Sequence, residues 1–252
     1  TLTGSLSSST GLVMTGSSIL DLQTTQTVAS LSMTTGNSIT RSSGTSSLTV
    51  SGTSVLGGAI TTSGTQTYTG AVTLGSDITL TTTAASTSGD ITFSSTVEGV
   101  SSPSSSYSLT ATTAADAHTI FNGTVGNTNP LKSLSVSAGL TTLNTNTVKT
   151  IGTQTYTGAV TLGVGTTLTS TDSAISFGST IDGAYALTIS NGSGAITLGH
   201  MGSVTPLTSL TLQGTGTNTL GGDLVTTGAI DLKGTSRATS FDADRTITTT
   251  DA

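Results

Sequence analysis

The sequence predicts an all-β chain wound as a parallel β-helix, and three observations predict it. Ser and Thr make up roughly two-fifths of the 252 residues, far from the usual dominance of Leu, Ala, Gly and charged types. The undecapeptide TQTYTGAVTLG occurs twice, at 65–75 and 153–163. Short phrases such as GAVTL, SDITL and GAITL alternate polar and apolar residues over four or five positions, the period of a half-buried strand.

Composition narrows the class first. Disordered chains combine low hydrophobicity with high net charge, whereas 33% of this chain is hydrophobic, 7% is charged and its mean hydropathy is +0.18. Thr, Val and Ile are stiff at the first side-chain torsion and suit a pleated surface, while 32 glycines with Asn and Ser supply turns. Glu, Lys, Arg and Gln are too scarce to cover the polar face of an amphipathic helix, so almost no α-helix is expected. The net charge is −6 and the six Lys and Arg are scattered singly, which argues against nucleic acid and against anionic membrane surfaces as partners. There is no Cys, so no disulfide framework holds the fold. No apolar run reaches the ~18 residues of a membrane-spanning helix, so no membrane insertion is expected. Residue 1 is Thr, and no charged-then-apolar start marks a signal peptide, so the chain reads as a segment whose export signal lies outside it.

The repeats set the organisation. The two undecapeptides are offset by 153 − 65 = 88 residues. The correspondence continues from GDITFSSTVEG (89–99) to SAISFGSTIDG (173–183), from YSLT (107–110) to YALT (185–188), and from PLKSLSV (130–136) to PLTSLTL (206–212). These offsets shrink to 84, 78 and 76, so the copies differ by small deletions between strands. VLGGAITTSGTQTYTG (55–70) resembles LGGDLVTTGAIDLKG (220–234) and frames the pair with a partial copy. The chain thus reads as one continuous solenoid over 1–252: blocks at about 65–152 and 153–234, a partial copy at 1–64 and a charged C-terminal edge at 235–252.

Within the blocks, the inward pairs are Val72 with Leu74, Ile78 with Leu80, Ile91 with Phe93, Ile175 with Phe177, Ile196 with Leu198 and Ile230 with Leu232; the Ser and Thr between them face out. Tandem immunoglobulin-like β-sandwiches are the alternative, with one domain per 88-residue repeat. Very short strands, short gaps, 3% aromatics and no recurring anchor at sandwich spacing favour the solenoid. A block then spans about four rungs of roughly 20 residues, and about twelve rungs ~4.8 Å apart give a rod on the order of 60 Å long.

TQTYTGAVTLG, the GAITL-type strands and LTSLTLQGTGTNTLGGDLVTTGAIDLKG together resemble the repeat regions of filamentous-haemagglutinin-like proteins and other giant bacterial surface adhesins, over roughly 44–234. The resemblance implies a right-handed parallel β-helix, export to the bacterial cell surface or medium, and a structural or adhesive role. The Asn-Pro motifs of the amino-terminal secretion module are not visible; Asn129-Pro130 is isolated inside a repeat.

Reactive chemistry is sparse. His118 and His200 occupy roughly matching places in successive blocks, but neither has a carboxylate or second His at ligand spacing. Glu98 and Asp182 are equivalent by the repeat, each directly before a Gly, and read as turn residues. Acidic turns raise calcium, yet the nonapeptide and EF-hand patterns are missing. With 18 charged residues dispersed, no Trp and no nucleophile beside a base, no catalytic residue, cofactor-binding residue or metal ligand is assigned and no enzyme is expected. Outward Thr, as in TQTYT and TLTTT, raises an ice-binding face, against which the irregular spacing counts. The expectation is an extracellular shaft of an adhesin-type protein; alternatives are a filament or matrix subunit assembling end to end, and a module binding host glycans or receptors.

Overall fold

The computed structural model describes residues 1–100, 106–232 and 238–250. It has thirty-one strands of two to five residues and one short 3-10 turn at Ser86–Gly89, so the expected scarcity of helix holds among the described residues. Every strand pairing is parallel.

Successive strands fall in turn on three sheets, and each circuit makes one turn of a β-solenoid. The first sheet begins with Leu12–Met14, the second with Ile19–Asp21 and the third with Gln26–Val28. The second sheet runs unbroken through eleven strands to Thr239–Phe241, which fixes the count at eleven turns against the twelve expected. The first sheet narrows to a single residue at Val125, bridged to Val97 and Val148, and the third does so at Met201, bridged to Ile181 and Leu224. At ~4.8 Å per turn the stack is about 50 Å long.

The turns are of unequal length because the corners absorb insertions. Leu48 pairs with Gln66, 66 − 48 = 18 residues on, whereas Ile78 pairs with Leu109, 109 − 78 = 31 residues on. The extra residues of the latter turn include the Ser86–Gly89 segment at a corner, and the strands keep their register.

The core is the column enclosed by the three sheets. Alternation puts residues i and i+2 inside, and Val72, Leu74, Ile78, Leu80, Ile91, Phe93, Ile175, Phe177, Ile196 and Leu198 are all buried as expected. Each such Leu or Ile withdrawn from water contributes ~1.5–3 kcal/mol before entropy is counted. Ile230 and Leu232 are only half-buried, because they belong to the last turn and are covered from one side. Thr73, Thr79, Thr92, Ser176 and Thr197, which separate the paired residues, lie outward as expected, while Thr62, Thr82, Thr119, Thr141, Thr150, Thr166 and Thr226, outside those pairs, are buried, several at corners where the chain turns inward polar groups against its own carbonyls. Lys233 and Gly234 of the partial copy, and residues 235–237, 251 and 252 of the C-terminal edge, lie outside the described residues.

The 88-residue repeat is not a whole number of turns. Gln66–Tyr68 lies on the third sheet in the third turn, while its identical counterpart Gln154–Tyr156 lies on the second sheet in the seventh. Val72–Leu74 is on the first sheet and Ala159–Leu162 on the third; Ile91–Phe93 is on the third and Ile175–Phe177 on the second. Every equivalent segment is displaced by the same one sheet, so the repeat spans three and two-thirds turns where about four were expected.

Candidate functional site

The undecapeptide builds a buried corner. Gln66 and Tyr68 point inward, and the Tyr68 hydroxyl donates to Gln66 Oε1 at 3.0 Å. Gln66 Nε2 donates to the carbonyls of Ile60 (3.2 Å) and Thr81 (2.9 Å) and to Thr62 Oγ1 (3.3 Å), and the Thr62 hydroxyl donates to the Gly64 carbonyl at 2.7 Å. The second copy repeats this bond for bond. Tyr156 donates to Gln154 Oε1 at 3.2 Å, Gln154 Nε2 reaches the carbonyls of Val148 and Thr169 and Thr150 Oγ1, and Thr150 donates to the Gly152 carbonyl at 2.6 Å. Burial pushes both phenols well above the ordinary tyrosine value, so each stays neutral and serves as a donor. The rings continue upward as stacks: Tyr68 on Phe93 (5.4 Å between centroids), Phe93 on Phe121 (5.1 Å), and Tyr156 on Phe177 (5.0 Å). Gly70 and Gly158 close each motif because a Cβ would lie 2.4 Å from the Gly52 carbonyl carbon and 1.8 Å from the Ala138 oxygen. The sequence signal for the buried glutamine was present, an amide two residues before an inward Tyr in both copies.

Carboxylates act between turns. Glu98 accepts the backbone N–H groups of Thr128 and Asn129, and its equivalent Asp182 accepts those of Val204 and Thr205 at 2.8 and 3.1 Å. The loops they hold match as well: Gly126 and Gly202 adopt φ of 63° and 67°, where a side chain would be strained and would strike the carbonyl of Lys149 or Val225. Asp21, Asp77, Asp90, Asp172 and Asp223 do the same for Ser42, Ser108, His118, Ser193 and Thr246. In all seven the donor belongs to the following turn, 21 to 31 residues on. Asp21 also accepts from the Ser42 hydroxyl at 2.6 Å, and these two bonds, the hydroxyl first, hold its carboxyl down at about 2.

The histidines are not equivalent. His118 stands on the third sheet with Nδ1 3.8 Å from Asp90 Oδ2, a carboxylate brought beside it by stacking from 28 residues away. His200 lies after the strand Ile196–Leu198, where its Nδ1 accepts the N–H of Asp223 at 3.1 Å. Aligned through the strands Phe121 and Leu198 and the bridges Val125 and Met201, His118 matches Ala195 and His200 matches Thr124. Among the described residues, no group of three or more His, Asp or Glu is placed to hold a metal ion.

One open groove of about 360 Å³ follows the corner between the third and first sheets over three turns. Asn122, Thr124, Asn144, Thr145, Asn146 and Val164 line it, and Asn144 Nδ2 donates to Asn122 Oδ1 at 2.8 Å. Its lining is amide, hydroxyl and methyl, with no titratable side chain, so it offers hydrogen bonds and no proton transfer.

The outer surfaces of the three sheets differ. The first displays Glu98, Lys149 and Asp231 beside a four-turn rank of Thr147, Thr167, Thr188 and Thr211, and the third displays His118 and Asp182 beside a four-turn rank of Thr27, Thr49, Thr67 and Thr92. The second presents hydroxyls in two in-register ranks. One passes through Thr79, Thr110, Ser135, Thr155, Ser176, Thr197, Thr219 and Ser240 on successive turns, and the other through Thr61, Thr81, Thr112 and Ser137. The spacing that is irregular along the chain is therefore regular in space.

No protein-family model, curated protein or solved structure matches the chain. The resemblance to filamentous-haemagglutinin-like repeats thus rests on the style of the repeats themselves. No helix among the described residues is long and apolar enough to cross a membrane.

Proposed function

We propose that the chain is a structural shaft segment of a large secreted or surface-anchored protein of adhesin type, and that it has no catalytic activity. The observation that carries this reading is the use made of its reactive side chains. Seven of the twelve carboxylates are tied to the backbone of the next turn, and Tyr68, Tyr156 and their glutamines are sealed in the core. Groups that could do chemistry hold turns together instead, which is what a load-bearing stack of nearest-neighbour contacts requires. An extracellular position belongs to the same reading. The test is to display one, two and three tandem copies between a cell-surface anchor and a terminal epitope. Antibody access that rises with copy number, and a stack that resists proteinase K, are the expected results. Rapid cleavage within the stack, or scattering from the isolated chain that fits jointed globules, overturns the proposal.

A second reading, an end-to-end filament subunit, draws on the terminal strands. Among the described residues, Leu12–Met14 and Ile247–Thr249 are each paired along one edge, and a strand edge without a partner is a template for another chain. Negative-stain images at rising concentration test it, and strictly monomeric particles remove it.

A further inference from the structure

Among the described residues, the hydroxyl ranks of the second sheet bond within the protein only at the carboxy-terminal end of the longer one, where Thr219 and Ser240 share a hydrogen bond and Ser240 donates to the Asn218 carbonyl. The hydroxyls at corners, such as Thr62, Thr150 and Ser170, donate to carbonyls of their own turn. Those from Thr79 to Thr197 in the longer rank make no hydrogen bond to another described residue and lie outward, exposed or half-buried. From the second turn to the tenth, the outward positions of this sheet hold Ser, Thr, Ala or Gly alone; the charged Asp21 stands in the first turn. No aromatic ring stands in either rank, so the platform on which sugars usually stack is missing from this surface.

The spacing is two-dimensional where both ranks run, at Thr79 with Thr81, Thr110 with Thr112 and Ser135 with Ser137. Neighbouring turns place hydroxyls ~4.8 Å apart along the stack, and residues i and i+2 place the two ranks about 6.7 Å apart across it. Thr at an exposed strand position is confined in its first torsion, so methyl and hydroxyl keep their places at the Thr positions, while Ser135, Ser137, Ser176 and Ser240 supply the hydroxyl alone. Water held by such a surface inherits its repeat: the hydroxyls fix donors and acceptors while the methyls leave the neighbouring waters bonded to one another. A dissolved ligand does not need six successive turns of unbonded, neutral hydroxyls in register. A partner that is itself periodic in two dimensions does, and solid water is the one whose only recognition chemistry is the hydrogen-bonded lattice.

We propose that the outer surface of the second sheet binds ice. This goes beyond the shaft reading and does not depend on it. The experiment measures thermal hysteresis and inhibition of ice recrystallisation with the purified chain, beside Thr155→Lys and Thr197→Lys in the ranks and Thr92→Lys on the outer surface of the third sheet. Circular dichroism establishes that each variant is folded. The expected result is activity in the unmodified chain and in Thr92→Lys, lost in either rank variant that folds. A folded, unmodified chain without hysteresis or recrystallisation inhibition overturns the proposal, as does equal loss in Thr92→Lys. Adsorption to crystalline cellulose or chitin without adsorption to ice overturns it in favour of a polysaccharide surface. Failure here leaves the protease and display measurements untouched, so the two readings fail separately.

Discussion

The corner around Tyr68 and the corner around Tyr156 are spelled by the same eleven residues, yet one sits on the third sheet and the other on the second. Each has a Val beneath its tyrosine, Val50 or Val136, and a Phe above it, Phe93 or Phe177. The hydrogen bonds agree to within a few tenths of an ångström. These two corners of the solenoid are therefore interchangeable environments, and what specifies a corner is its own sequence plus the turns directly above and below. The copies differ in depth, since three rings stack at the first and two at the second.

The largest effects should come from the rings. Tyr68→Ala and Tyr156→Ala each remove a fully buried ring and strand a glutamine, and each should cost about 3–5 kcal/mol in chemical denaturation. Tyr68→Ala should be the costlier, because its loss loosens a longer stack. If one copy tolerates the change and the other does not, the corners are not interchangeable. The hydroxyl beneath comes next. Thr150 both donates to Gly152 and accepts from Gln154, whereas Thr226, at the matching place of the partial copy, donates to Gly228 and has Ile230 where the glutamine would stand. Thr150→Val should cost roughly 1–3 kcal/mol, and Thr226→Val roughly 0.5–1.5 kcal/mol. Equal losses would show that the shared hydroxyl adds nothing.

The smallest effect is electrostatic. Asp21, with its carboxyl lowered from 3.8 to about 2, favours the folded chain above pH 4, and that contribution disappears as pH falls from about 4 through about 2. Asp21→Asn should remove this part of the acid sensitivity, read as a flatter dependence of the melting temperature on pH over that window. An unchanged profile would mean that the first turn is not held through Ser42.

The fold was legible because alternation is local. Val72 with Leu74 and Ile196 with Leu198 announce a buried face within three residues, and a chain of such strands joined by short gaps has few alternatives to a stack. The angular position of a strand was not legible. It depends on corner lengths that vary between turns of 18 and 31 residues, so identical phrases gave no sign of standing on different sheets. The same variation hid the ranks of the second sheet behind irregular spacing, and it hid Asp90 from His118 and Glu98 from Asn129, pairs that meet only once the turns are stacked. Sequence spacing can report a metal site on one strand; it cannot report neighbours made by winding.

The seven carboxylates that reach for the next turn also give the rod a polarity. Severing it at such a contact would leave unlike surfaces, with acceptors on the amino-terminal piece and N–H donors on the carboxy-terminal one. Like ends would meet acceptor to acceptor or donor to donor, and only unlike ends complete the bonds. The strand edges carry N–H and C=O at both ends, so it is the carboxylates that favour head-to-tail joining, and a head-to-tail contact between collinear rods does not close into a ring but repeats without limit.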